Sequence, residues 1–235
     1  MATPHPAPAV VVGLREVDPR NRPDVATVVK LHMRLLHFGP FAQFGELFLR
    51  RFCYTMLLAN GLMRAALCEV DGRPAGFVAY TDRSITFHRS ALRKHWLRAG
   101  VLVAASVLRN PRLLRPLLRV LRVMISRREE VSLAEDPLGE LIAIGVLPHY
   151  CSPAFVRRSN RRIAEELVLY CAARLRRAGV EKMRMIVDDD NKAPLLLYHQ
   201  LGARFESYEQ AGKPQIHVWF DLNRQLPDST PEVLQ

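Results

Sequence analysis

The sequence predicts an α/β chain built on a mixed, mostly antiparallel sheet of roughly seven strands with flanking helices. Three observations carry that expectation. Asp71-Gly72 separates two apolar runs, the pattern of a tight hairpin. The stretch from Glu140 to Val187 reads strand, helix, strand, which demands one parallel crossover. With 235 residues, 49% of them hydrophobic, the chain can bury one core with an insertion but hardly two full domains.

The elements follow in order. Val10 to Val17 is a β-branched run closed by Asp18-Pro19, hence a first strand. Arg22-Pro23-Asp24 opens a helix carrying Val25, Val28, Val29, Leu31, Leu35 and Leu36, which ends near Gly39-Pro40. Phe41 to Asn60 reads as one second helix, with Gly61 as its left-handed stop. Met63 to Val70 and Ala75 to Tyr80 are the hairpin strands. Residues 89 to 128 read as a helical block interrupted at Asn110-Pro111, inside an insertion spanning about 84–136. A strand from Glu140 to Leu147, a long loop and a helix from about Arg161 to Ala178 come next. Then follow a strand from Lys182 to Val187, a short helix from about Ala193 to Leu201, and strands Arg204 to Glu209 and Gln215 to Leu222. Residues 10–223 are expected to form one domain, between a Pro-rich disordered leader (1–9) and a flexible tail (224–235).

The formal net charge of +11 has one location. Between Arg89 and Arg128 stand eleven Lys or Arg residues and no acidic one, so the remaining chain sums to zero. Arg112, Arg115, Arg119 and Arg122 recur at helical spacing beside a leucine-rich stripe. Such a segment suits an anionic membrane surface, an acidic carrier protein or glycan, or nucleic acid. The plainer alternative is a solvated Arg-rich face over core-packed leucines. Nucleic acid ranks lowest, because few aromatic residues are interleaved for base stacking. The longest nearly apolar run, Ala99 to Leu108, is about half of a bilayer span. The N-terminus carries no signal-peptide pattern, and Cys53, Cys68, Cys151 and Cys171 form no C-x-x-C pair. A cytoplasmic protein with reduced thiols is the expectation, with peripheral attachment to the inner membrane face as its extension.

Chemistry concentrates between Gly139 and Phe205. The loop after Pro148 ends in Arg157-Arg158-Ser159-Asn160-Arg161-Arg162 and runs straight into a helix at Ile163-Ala164. A helix start offers free N–H groups and a positive dipole end, and guanidinium forks donate to phosphate in pairs. That makes a candidate polyphosphate site; a solvated helix start with surface arginines is the rival. Downstream runs Asn191-x-x-Pro194-x-x-Leu197-Tyr198-x-x-x-Gly202-x-x-Phe205.

These residues together resemble the GNAT acyltransferase superfamily, which places an Asn after a strand, an aliphatic-Tyr pair on a short helix, and a Gly before an aromatic strand. Leu141 to Pro148 is similar to the family's fourth strand, and the hairpin from Cys68 to Val78 to its second and third. The resemblance implies acyl transfer from a CoA thioester, with acetyl-CoA the expected donor; the dispersed histidines, with no H-x-x-x-H spacing, add the expectation of no metal. The acceptor would be an amine or hydroxyl of a small or saccharide-like molecule. It implies that the backbone of Ile144, Gly145 and Val146 holds the pantetheine arm. Arg157, Arg158, Ser159, Asn160, Arg161, Arg162, Ile163 and Ala164 would meet the phosphates, with Asn191 nearby. Of the family's pyrophosphate-loop pattern only Ala164 is matched, Ser159 and Arg162 standing at the Arg/Gln and first Gly places. Side chains would therefore replace part of the backbone approach.

Tyr198 would protonate the leaving thiolate, its pKa of about 10 lying close to that of a thiol. Glu140, at the start of its strand, would act as base directly or through water. Both have rivals, a Tyr packing on the core and a solvated strand-end carboxylate. His32, Phe38, Phe41, Gly45, Phe48 and Leu49 resemble a bacterial branch of the family that accompanies polysaccharide synthesis, so His32 is a candidate acceptor contact. A partly buried histidine with a local partner is the alternative. Two further function readings stand beside acetyl transfer. One is a long-chain acyltransferase using acyl-CoA or acyl carrier protein, the other a non-catalytic acyl-CoA-binding or membrane-surface module. Asp188-Asp189-Asp190 reads as a solvated loop, because three adjacent carboxylates do not converge on one point.

Overall fold

The structure, a computed structural model, describes residues 10–84, 97, 100–108, 111, 138–210 and 213–224. The leader expected over 1–9, the tail beyond Arg224 and the rest of the insertion expected over 84–136 lie outside them. So do Arg112, Arg115, Arg119 and Arg122.

Seven strands form one sheet in the order β1-β2-β3-β4-β5-β7-β6. They are β1 (Val12–Glu16), β2 (Arg64–Val70), β3 (Arg73–Thr81), β4 (Leu138–Val146), β5 (Lys182–Asp188), β6 (Arg204–Gln210) and β7 (Lys213–Asp221). Every neighbouring pair is antiparallel except β4 and β5, which are parallel. The expected hairpin turn is present. Asp71 (φ 51°) and Gly72 (φ 72°) both take the left-handed conformation that a two-residue turn needs to match the strands' twist.

Helices cover both faces. α1 (Arg22–Leu35) begins with proline in its first turn and lies on one face of β3 and β4. α5 (Ile163–Arg177) lies on the other. The glycines show the division: a Cβ on Gly145 would meet Leu35 of α1, and one on Gly76 would meet Leu167 of α5. Adjacent strand residues alternate faces, so Phe77 beside Gly76 points to α1 and stacks on His32.

Two expectations are corrected. Phe41 to Asn60 is not one helix. α2 (Pro40–Gln43) stops at Gly45 (φ 87°), α3 (Glu46–Phe48) restarts, and the helix widens to π-type hydrogen bonding over Leu49–Leu57. Six residues of that widened stretch are buried, Phe52, Cys53, Tyr54 and Met56 among them, so packing sets its winding. The segment after Pro148 is not a plain loop either. A 3₁₀ turn (Pro148–Tyr150) leads to α4 (Pro153–Ser159). Ser152 caps α4 by accepting from the Phe155 N–H at 3.2 Å, Pro153 fills its first position, and Asn160 (φ 51°) ends it. The last helix, α6 (Lys192–Gln200), starts one residue before the expected Ala193, with Asn191 at its cap position, and tolerates Pro194 in its first turn.

Candidate functional site

The parallel pairing of β4 with β5 is short. It comprises Leu138↔Lys182, Gly139↔Met183 and Glu140↔Arg184. Beyond it β4 continues to Val146 on β3 alone, and β5 continues to Asp188 on β7 alone. The cause is local: the β3–β4 register slips between Ala79 and Tyr80, leaving Ile142 as an extra residue that bends β4 away. Ile144, Gly145 and Val146 pair with Val78, Phe77 and Gly76 and have no β5 partner. The sheet thus splits into a wedge with a strand edge on each side. An extended chain with amide groups can pair with such an edge.

The closed end of the wedge is a buried polar cluster. Glu140 Oε2 accepts from Ser84 Oγ at 2.5 Å and from Arg184 Nη2 at 3.0 Å, and that same nitrogen donates to Ser84 Oγ at 3.1 Å. The Arg184 and Glu140 side chains are only 13% and 10% exposed. The guanidinium also lies over the Trp219 ring, 5.9 Å from its centroid. Glu140 is therefore held by a cation across the strand pair rather than lying open to solvent. Sequence reading missed Arg184, although a charged residue between Met183 and Met185 in a buried strand was the available signal. Ser84 carried none.

α5 begins near the open side. Arg162 occupies its cap position without a side-chain cap hydrogen bond, so the first-turn N–H groups keep their anion-binding capacity. The flanking arginines differ from one another. Arg161 forms a two-pronged bond to Glu166, 2.8 Å from Nε and 2.7 Å from Nη2. Arg162 lies 3.6 Å from Glu165. Arg157 and Arg158, exposed on the last turn of α4, have no ion pair among the described residues. The Ser159 hydroxyl donates to Phe155 O and accepts from the Arg161 N–H, so it shapes the turn. Asn160 is exposed, Ile163 buried and Ala164 half-buried.

Tyr198 lies on α6, 2% exposed, its ring edge-on to Phe220 of β7 at 6.3 Å. Burial, with a smaller contribution from Cys171, pushes its phenol above the ordinary value, so it keeps its proton through neutral and mildly alkaline pH. Asn191, exposed, caps α6 by position and not by its side chain.

His32 stands elsewhere, on the α1 face. It is 5% exposed, and its Nδ1 is 2.7 Å from the Tyr54 hydroxyl. Burial lowers its pKa to about 4, so the ring is neutral at physiological pH. With Phe41, Tyr54, Ile142 and Ala143 it lines an apolar cavity of about one water molecule's size. The β4 bulge residue thus contributes to that cavity. The structure does not bring His32 together with Tyr198. Cys53, Cys68 and Cys171 are buried free thiols and Cys151 is exposed; burial pushes Cys68 up to about 12. Among the described residues no group of His, Cys, Asp or Glu is arranged to hold a metal ion. None of their helices is long and apolar enough to cross a membrane.

Solved structures match this architecture. A protein from Desulfovibrio desulfuricans assigned to the GNAT family of acetyltransferases superposes with a TM-score of 0.52 at 14% identity, covering 90% of this chain and 99% of that one. An aminoglycoside 6′-acetyltransferase of type Ii superposes with 0.52 at 13% identity, covering 91% and 97%. YncA from Salmonella typhimurium, assigned as an acetyltransferase and solved with its cofactor acetyl-CoA, gives 0.52 at 13% identity, covering 94% and 99%. No protein-family profile and no curated protein sequence matches the chain. Identity this low speaks for the fold alone, and the fold is that of the GNAT acetyltransferases.

Proposed function

We propose that this chain, built on the GNAT fold, transfers an acyl group from acyl-CoA, acetyl-CoA foremost, to an amine or hydroxyl of a small or saccharide-like acceptor. The observation that carries the reading is the wedge that opens between β4 and β5 beyond their three paired residues, with a protonated, buried tyrosine on the helix that follows β5. The likeness to a structure solved with acetyl-CoA supports the donor.

In this reading the pantetheine amides pair with the free edge of Ile144, Gly145 and Val146. The phosphates meet the first-turn N–H groups at Ile163 and Ala164, with Arg157 and Arg158, which have no ion pair among the described residues, as the available cations and Ser159, Asn160 and Asn191 at the rim. Arg161 and Arg162 contribute by exchanging Glu166 and Glu165 for phosphate oxygens. The acceptor nitrogen or oxygen attacks the thioester carbon. The new C–N or C–O bond forms, the C–S bond breaks, and Tyr198 gives its proton to the departing thiolate. An N–H near Val146 polarises the carbonyl. Water takes the acceptor's proton, and solvent returns one to the Tyr198 phenolate, which closes the proton balance. Glu140 already accepts from Ser84 and Arg184 at Oε2, so this carboxylate suits holding the wedge better than serving as base. His32 fits the acceptor side only through the small cavity it lines with Tyr54.

One test covers donor and turnover. Acetyl-CoA, desulfo-CoA and longer acyl-CoAs are added to the protein while melting temperature is followed, and free thiol release is then measured against a panel of amine and sugar acceptors. Stabilisation by acetyl-CoA and by desulfo-CoA alike, with acceptor-dependent thiol release, is expected. No stabilisation at millimolar CoA overturns the reading. Stabilisation without thiol release from any acceptor favours a binding module, for which the prior pairing of Arg161 and Arg162 with acids is the supporting observation.

A further inference from the structure

Residue 97 and residues 100–108 are helical. Leu102 and Val103 turn inward and pack against the core. The outward side is not the polar one expected of a surface helix. Leu97 is 62% exposed, Val101 68% and Leu108 84%. At about 100° per residue, Val101, Ala104 and Leu108, all exposed, fall within a sector of roughly 60°, and position 97 takes the same side at that spacing. The described part of this helix is thus apolar on both sides, and one apolar stripe faces outward.

That stripe sits inside the one strongly charged stretch of the chain, the segment with eleven basic and no acidic residues, while the rest sums to zero. Single exposed apolar side chains need no explanation. A row of them amid unopposed positive charge matches a surface that is apolar inside and anionic outside. We propose that the exposed face of this helix docks on an anionic lipid bilayer surface, lying in the plane of the headgroups without spanning them. The charge complementarity names the occupant: phosphate headgroups suit the basic residues that precede and follow the stripe in sequence, while Leu97, Val101 and Leu108 enter the acyl boundary. Few Trp or Tyr residues occur in the segment for nucleobase stacking, so a nucleic-acid partner is the weaker fit. The inference is independent of the acyl-transfer reading, because the stripe and the wedge lie on different elements.

The test uses the full chain with sedimenting vesicles of phosphatidylcholine alone or with phosphatidylglycerol. Binding to the anionic vesicles at low salt, at least tenfold above the neutral ones and weakening as salt rises, is expected. Leu97→Ser, Val101→Ser and Leu108→Ser combined change exposed positions and should leave the melting temperature in place while lowering vesicle binding on the order of tenfold or more. Charge reversal of Arg112, Arg115, Arg119 and Arg122 to Glu, outside the described residues but fixed in charge by the sequence, should abolish it. No binding of the wild type to anionic vesicles at low salt overturns the proposal. Undiminished binding by the folded triple serine variant overturns the role of the stripe. A dimer that the serine variant dissolves, without vesicle binding, assigns the face to a second copy of the chain. Salt-sensitive binding to RNA in place of vesicles assigns it to nucleic acid.

Discussion

Replacing Arg184 by Met removes the cation from the closed end of the wedge and leaves a carboxylate behind. The magnitude follows from burial. With side chains 13% and 10% exposed, Arg184 and Glu140 are shielded from solvent, so the pair is not weakened as a surface ion pair would be. Breaking a buried pair from one side costs about 3–5 kcal/mol, because the remaining charge keeps its desolvation penalty without its partner. Ser84 continues to donate to Glu140, which places the expected loss at the lower end, about 3 kcal/mol. For a chain of this size that is roughly 6–12 °C in melting temperature. The assay is thermal and urea unfolding of the wild type, Arg184→Met, Glu140→Gln and the double variant. The double variant should recover part of the loss, since it buries no uncompensated charge. A buried carboxylate that has lost the Arg184 cation takes up a proton more readily, so the deficit of Arg184→Met should shrink as pH falls toward 5. A loss below about 1 kcal/mol, or a double variant no better than Arg184→Met, would refute the claim that this pair holds β4 to β5.

Three further outcomes are expected. Tyr198→Phe keeps the ring on Phe220 and deletes the proton, so turnover on a good acceptor should fall about 10- to 10⁴-fold with CoA affinity little changed, read from steady-state kinetics and calorimetric titration. His32 is neutral when folded, with its pKa lowered to about 4 from 6.5; the unfolded chain therefore binds the extra proton first, and stability present above pH 6.5 is lost as pH falls toward 4. Complete loss amounts to about 3 kcal/mol, and His32→Gln should flatten melting temperature against pH across that window. Gly76→Ala would set a Cβ 2.7 Å from the Gly145 carbonyl oxygen, backbone that cannot give way without prying β3 from β4, so a loss of about 1–3 kcal/mol in urea unfolding is expected.

What could be read from the chain was what neighbours along it decide. Asp71-Gly72 marked its hairpin because only a short turn with positive φ at both positions joins twisted strands. Gly179 (φ 80°) and Gly202 (φ 79°) end α5 and α6 for the same local reason. The run from Glu140 to Val187 implied its parallel crossover through period and length alone. The expected strands β1 to β7 and the helices α1, α5 and α6 stand within a few residues of their predicted bounds.

The site itself was decided elsewhere. One glycine and a serine-proline pair, Gly45 and Ser152-Pro153, carried boundaries that a continuous apolar pattern hid, so one helix was expected where three segments stand and a loop where α4 stands. More fundamentally, an arginine in a sequence has charge but no partner. Arg161 is turned to Glu166 by the geometry of one helix start, whereas Arg157 and Arg158 next to it are left exposed. Glu140 meets Arg184, 44 positions away, because β4 lies beside β5 in that register, and Ser84, 56 positions away, because β3 pairs with β4 on its other side. The wedge exists because the extra residue at Ile142 bends β4 off β5, a slip that no periodicity announces. Sequence determined the elements and their order, since propensity, turns and caps act within a few residues. Tertiary structure decided which charges are neutralised and where the sheet opens, since those depend on the register between strands that are distant in the chain.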